Sequence, residues 1–178
     1  MPTEGRTGVI IVDFQKEWSL VDSPFNIGRT SLAADKCRTL VHEALQRDLP
    51  VFYTQKFIED HQEKAFSPYE TRSDMHDELP SDPEIEVIDH YSWDPFYQTM
   101  LEDMLIRNEV EHVVVAGLAV NAGVRECVSS AYDRDFTVTL MEDGCSAESH
   151  EVMQYTLEDL QRYRDIFIDV LQNFRSFL

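Results

Sequence analysis

The chain has 178 residues, 43% of them hydrophobic, with 34 Asp and Glu against 15 Lys and Arg, a net charge of −19 and a pI near 4.5. Such an excess of carboxylates repels nucleic acid and anionic membranes, and no apolar run approaches the roughly 20 residues that a spanning helix needs. The opening residues carry no charged-then-apolar leader, so the expectation is a soluble cytoplasmic protein of one compact domain, residues 1–178, with neither membrane nor nucleic acid as partner.

In chain order, Gly8-Val9-Ile10-Ile11-Val12-Asp13 is a short apolar run of the kind buried on both faces of a parallel sheet, and it predicts a first strand. Cys37, Leu40, Val41, Ala44 and Leu45 then recur at helical spacing. Pro50-Val51-Phe52-Tyr53-Thr54 predicts a second strand. The stretch from about Gln55 to Glu84 is rich in Pro, Ser, Asp and Glu and predicts a long irregular segment, which inside a compact domain usually serves as a lid or binding loop. Ile85-Glu86-Val87-Ile88 reads as a third strand, followed by Asp94 and Pro95 as N-cap and first turn of a helix bearing Phe96, Leu101, Met104 and Leu105. A fourth strand at Val113-Val114-Val115-Ala116 precedes a helix whose Val124, Cys127, Val128 and Ala131 share one face. Thr137-Val138-Thr139-Leu140-Met141 is the fifth strand, Val152, Tyr155 and Leu160 are core contacts of the next helix, and Ile166-Phe167-Ile168 is the sixth strand. Strands alternating with amphipathic helices imply a parallel sheet with right-handed crossovers and helices on both faces.

Cys37, Cys127 and Cys145 are odd in number, widely spaced, and read as reduced, mostly buried small residues. The lysines are only Lys16, Lys36, Lys56 and Lys64, the other cations being arginine. Scarce lysine with excess carboxylate suits a protein working in concentrated salt, where self-repulsion is screened, although an ordinary acidic cytoplasmic enzyme is an equal reading.

Ligands of such sheets sit beyond the carboxyl ends of the strands. Asp13, Thr54, Gln55, Asp89, His90, the Gly117–Gly123 turn and Asp143 all fall there and are placed to converge on one pocket. Arg125 and Lys56 are candidates to anchor a substrate carboxylate, although a solvated surface cation is the plainer reading of each. Asp143 reads more readily as structural. His61, Asp74 and His76 lie in the long loop at no ligand spacing, and neither a metal nor another cofactor is implied.

Several motifs then match one family in order along nearly the whole chain. These are Val12-Asp13-Phe14-Gln15, Phe52-Tyr53-Thr54-Gln55, the segment from His90 to Leu101, the turn Val115-Ala116-Gly117-Leu118-Ala119-Val120-Asn121-Ala122-Gly123-Val124, and Glu142-Asp143-Gly144-Cys145-Ser146-Ala147 with His150. The chain resembles the isochorismatase-like cysteine hydrolases. The resemblance implies a Rossmann-like three-layer α/β/α sandwich with a six-stranded, mainly parallel sheet, a small-molecule substrate and a homo-oligomer. It implies a cis Leu118–Ala119 peptide, an oxyanion hole from the Ala119 and Gly123 amides, and a helix whose positive end starts near Asn121. In thiol members of that family an Asp, a Lys and a Cys cooperate. Here Asp13 is kept, but His90 stands at the lysine position and Gly123 at the cysteine position. Cys127, one helical turn beyond Gly123, should point into the core. The Asp-x-His metal pair of the nicotinamidase branch is replaced by Gln55-Lys56-Phe57-Ile58.

Two functions follow as expectations. One is a hydrolase with no covalent thiol intermediate, acting on an enol ether or a C–N bond, with Asp13 as acid/base and His90 as its partner. Gln15, Gln55, Leu118, Ala119 and Asn121 would then surround the substrate. The other is a catalytically inactive member that binds a small molecule or a protein.

Overall fold

The computed structural model describes residues 5–28, 30–58 and 65–176; His61 and Lys64 fall outside them. Its strands are β1 Arg6–Val12, β2 Val51–Lys56, β3 Ile85–His90, β4 Val110–Gly117, β5 Thr137–Cys145 and β6 Phe167–Asp169. They form one six-stranded sheet in the order β3-β2-β1-β4-β5-β6, with every neighbouring pair parallel. Apolar β1 is buried on both faces. Val9 and Ile11 pack with Ala34, Cys37, Val41 and Ala44 of α1 (Ser31–Leu45). Ile10 and Val12 face the core built by α2 (Leu101–Arg107), α3 (Arg125–Tyr132) and α4 (His150–Tyr163). The architecture is therefore a three-layer α/β/α sandwich. The strand order reverses between β1 and β4, and in sheets of this type the crevice beyond such a switch point holds the ligand.

Several boundaries differ from the sequence expectation. β2 runs on to Lys56, so Gln55 and Lys56 are strand residues rather than the start of a loop. β5 continues through Glu142, Asp143 and Gly144, which have low strand propensity but are held by pairing of Cys145 with Gly117. Asp94 does not cap a helix: its Oδ1 accepts from the Phe96 amide in a local turn and its Oδ2 accepts from the Ser130 hydroxyl. Gln98 has a left-handed backbone (φ 57°), and α2 starts only at Leu101. Tyr155 is 69% exposed, because the buried stripe of α4 runs through Thr156, Leu157 and Leu160.

Candidate active site

The end of β1 sets the site. Asp13 leaves the strand with φ 49°, a left-handed conformation that a short polar residue tolerates better than a branched one. Its amide donates to the Thr54 carbonyl at 3.1 Å and approaches the Thr54 hydroxyl oxygen at 3.2 Å. That hydroxyl donates in turn to Asp13 Oδ1 at 2.6 Å. Thr54 thus fixes both the turn and the carboxylate that the turn swings out.

His90, the last residue of β3, meets the same oxygen: Nε2 lies 2.6 Å from Asp13 Oδ1, and both side chains are fully buried. The other ring nitrogen, Nδ1, lies 2.8 Å from the Ser92 carbonyl oxygen. A carbonyl only accepts, so Nδ1 carries a hydrogen. A single proton then lies between Nε2 and Oδ1, since two lone pairs at that distance would repel. Whichever atom holds it, the pair is neutral and Asp13 Oδ2 remains an acceptor. Oδ2 is buried and has no hydrogen-bond partner among the described residues.

Gly123 explains where Oδ2 points. A Cβ built on Gly123 would stand 2.5 Å from Asp13 Oδ2 and 3.2 Å from Val12 Cγ1. The carboxylate fills the space that any side chain at this position would need. The turn that brings Gly123 here begins at Gly117, whose φ of 135° and contact with the Val12 backbone exclude a side chain. The Leu118 amide then donates to the Val12 carbonyl at 2.9 Å, and the Leu118–Ala119 peptide is cis. Regular helix does not start near Asn121. Residues 120–124 form a wide turn kinked at Ala122 (φ −124°, ψ −115°), with the Ala122 and Val124 amides both donating to the Ala119 carbonyl, and α3 begins at Arg125.

The other expected residues divide. Leu118 and Ala119 are buried at the turn, and Asn121 is exposed. Asn121 lines an open cavity of about 400 Å³ together with Ser92, Trp93, Asp94, Ala122 and Glu126. Gln15 is buried, with both amide hydrogens donated, to the Lys56 and Ser73 carbonyls, and its oxygen accepting from the Lys56 amide. It straps the ends of β1 and β2 to the long loop. Gln55 joins this strap through the Ser73 carbonyl at 3.1 Å. Arg125 is paired with Asp159, and Asp143 accepts from the Leu171 amide and pairs with Lys36, which are structural roles.

Lys56 is not a solvated cation. It is 3% exposed, and Nζ donates to the Phe57 carbonyl at 2.6 Å and the Tyr91 carbonyl at 2.7 Å while lying 5.2 Å from the centre of the Trp93 ring. Burial lowers its pKa, and the nearby Asp13 carboxylate opposes that shift. Trp93 belongs to an aromatic cover with Trp18, Phe25 and Phe66, ring centres 5.1 to 6.3 Å apart, and the Trp18 indole donates to the Asp13 carbonyl. The long loop is clamped beneath by Arg72, which forms two 2.9 Å bonds to the fully buried Glu17. Nothing in the residue pattern marks this pair beyond opposite charges far apart. Burial raises the pKa of Cys127 and Cys37 well above the thiol range and pushes Cys145 to about 12, so none is primed for attack. Among the described residues no group of three or more His, Cys, Asp or Glu is arranged to hold a metal ion, and no helix is long and apolar enough to cross a membrane.

Residues 7–172 match the isochorismatase domain family. The chain belongs to the isochorismatase family. A segment of 71 residues is 37% identical to the uncharacterized isochorismatase family protein YecD of Escherichia coli O157:H7, covering 40% of this chain and 37% of that protein. The uncharacterized family protein YddQ of Bacillus subtilis is 21% identical over 147 residues, 82% of this chain and 81% of the relative. An isochorismatase family protein from Desulfovibrio vulgaris has the same fold, with a TM-score of 0.89 at 16% identity, covering 97% of this chain and 98% of that one. The pyrazinamidase/nicotinamidase of Streptococcus mutans superposes with a TM-score of 0.83 at 16% identity, covering 91% and 99%. This is an isochorismatase-like hydrolase fold in which His90, Gly123 and Asp13 meet at the switch point.

Proposed function

We propose that the protein is a small-molecule hydrolase that works without a covalent thiol intermediate, cleaving an enol ether or a C–N bond. The observation that carries this reading is the buried Asp13–His90 pair, which holds one shared proton and leaves Oδ2 as a free acceptor beside the Gly123 turn. A water at the turn gives its proton to Oδ2 as it attacks, while the shared proton passes from Oδ1 to His90 Nε2. Collapse of the adduct returns a proton through Asp13 to the leaving group. For an enol ether the order reverses: the pair gives up its one shared proton through Asp13 to the vinyl carbon and becomes an anion, and the water that captures the resulting cation returns a proton to the pair. The Ala119 and Gly123 amides are the proposed donors to developing negative charge, and the cavity at Asn121 and Trp93 is the proposed entrance.

Complete burial of Asp13 under the aromatic cover favours the second reading, an inactive member that binds a ligand. Asp13→Asn keeps the size of the side chain and removes the acid/base group. Screened on enol ethers, amides and ureas, the hydrolase loses about two to four decades of rate in this variant. Equal rates for both forms on every substrate turned over would refute the first reading, and ligand affinity unchanged without any turnover would support the second.

A further inference from the structure

The carbonyl cradle around Lys56 is unused by the reaction just described, yet it lies beside it. Lys56 ends β2 and pairs in register with His90 at the end of β3, so the two side chains emerge at one level of the sheet. Two carbonyl oxygens and the face of an indole surround Nζ. This set selects the ammonium form: three N–H donors meet two acceptors and a π face, whereas a neutral amine would turn its lone pair toward one of them. Among the described residues Lys56 makes no contact ion pair, and the carboxylate it senses is that of Asp13. Among the described residues, the acid whose field reaches this buried cation is Asp13.

We infer that Lys56 is a positioning residue for charge, which sets the pH at which the proton shared by Asp13 and His90 leaves the pair. Loss of that proton turns a neutral pair into an anion, and a fixed cation nearby stabilises the anion and brings the loss to lower pH. The other groups packed around the pair do not supply this charge. Thr54 from β2 and Trp18 before α1 are neutral, and Cys127 from α3 is kept as a thiol by burial. Asp94, which Cys127 also senses, is negative and acts in the opposite direction. The inference rests on the proton-carrying pair of the proposed function but not on turnover.

The test is the titration of the His90 ring nitrogens, followed by long-range ¹H–¹⁵N correlation in the full-length protein and assigned among the six histidines with His90→Gln. Lys56→Met and Lys56→Gln should move the midpoint for loss of the shared proton up by about one pH unit or more, while Lys56→Arg, which keeps the charge, stays near wild type. Gln is included because its amide can still donate to the carbonyl cradle if Met prevents folding. A folded Lys56→Gln protein with an unmoved His90 midpoint overturns the inference, as does a downward shift. The two proposals fail separately: Asp13→Asn activity decides whether the pair is catalytic, and this titration decides whether Lys56 governs it.

Discussion

Gly123→Ala is the most direct probe of the site. Alanine is favoured over glycine near the start of a helix by as much as about 1 kcal/mol, and Gly123 has no left-handed backbone to strain, so local propensity alone makes the variant more stable. The new methyl would instead stand 2.5 Å from Asp13 Oδ2 and 3.2 Å from Val12 Cγ1. Val12 is itself fully buried and cannot recede, so the carboxylate must move, and moving it disturbs two 2.6 Å contacts to Thr54 and His90. Overpacking of this kind costs about 1 to 3 kcal/mol, and disturbing buried hydrogen bonds adds about 1 kcal/mol each, which outweighs the helix gain. The expected net loss is about 2 to 4 kcal/mol by urea or guanidinium denaturation. The discriminating step is the cycle with Asp13→Ala, which removes the oxygen that the methyl meets. In that background Gly123→Ala should become neutral or stabilising, a coupling above about 1 kcal/mol. A wild-type-like Gly123→Ala protein with additive effects would refute the placement of the carboxylate against Gly123.

Arg72→Met strands the buried Glu17 carboxylate and should cost about 3 to 5 kcal/mol, with part regained in Glu17→Gln/Arg72→Met; denaturation midpoints of the three variants check this. His112 is buried between Thr7 and Thr139, and burial lowers its pKa from 6.5 to about 4. The unfolded chain therefore binds its proton first as pH falls through that window, and stability should drop by about 3 kcal/mol between pH 6.5 and 4, read as the difference in slope between wild type and His112→Gln. Thiol reagents should leave the folded chain unmodified, because Cys37, Cys127 and Cys145 are all buried; mass spectrometry under native conditions gives the count. With a net charge of −19, thermal midpoints should rise from low to molar KCl beyond the effect of a non-ionic osmolyte, and a flat profile removes the case for salt adaptation.

The strands and their order along the chain were legible because their signal is local: five or six consecutive apolar residues buried on both faces have few other uses. Strand ends were less legible because they depend on pairing. Gln55 and Lys56 belong to β2 through register with Asp89 and His90, which no composition encodes, and the same miss turned a buried lysine into an expected surface one. Tyr155 was placed on the wrong face because a short amphipathic helix leaves its stripe uncertain by one position, which the packing of Leu157 and Leu160 then settles. Strand ends and motif order placed Asp13 and His90 at one end of the sheet, and the structure brings their side chains within 2.6 Å of each other. The three backbone bonds of Gln15 were not legible because an amide near a site looks the same in sequence whatever it bonds.

We propose that glycine at 123 and histidine at 90, the two positions where the resemblance implies a cysteine and a lysine, are physically linked. A side chain at 123 would occupy the position of Asp13 Oδ2, so the carboxylate can adopt its present arrangement only with glycine there. Once Oδ2 turns toward Gly123, Oδ1 is left to be held, and it is held by Thr54 and His90 at 2.6 Å each. A lysine at 90 has a longer, flexible arm and no second ring nitrogen to be anchored by the Ser92 carbonyl, so it would not fix the carboxylate in this orientation. Introducing a thiol alone through Gly123→Cys should therefore produce a displaced Asp13 and no alkylation-sensitive activity. Gly123→Cys combined with His90→Lys is the smaller conflict, because it removes the imidazole that holds Oδ1. Activity that appears with the single change and disappears on alkylation would show that the carboxylate yields freely, and that histidine at 90 is independent of glycine at 123.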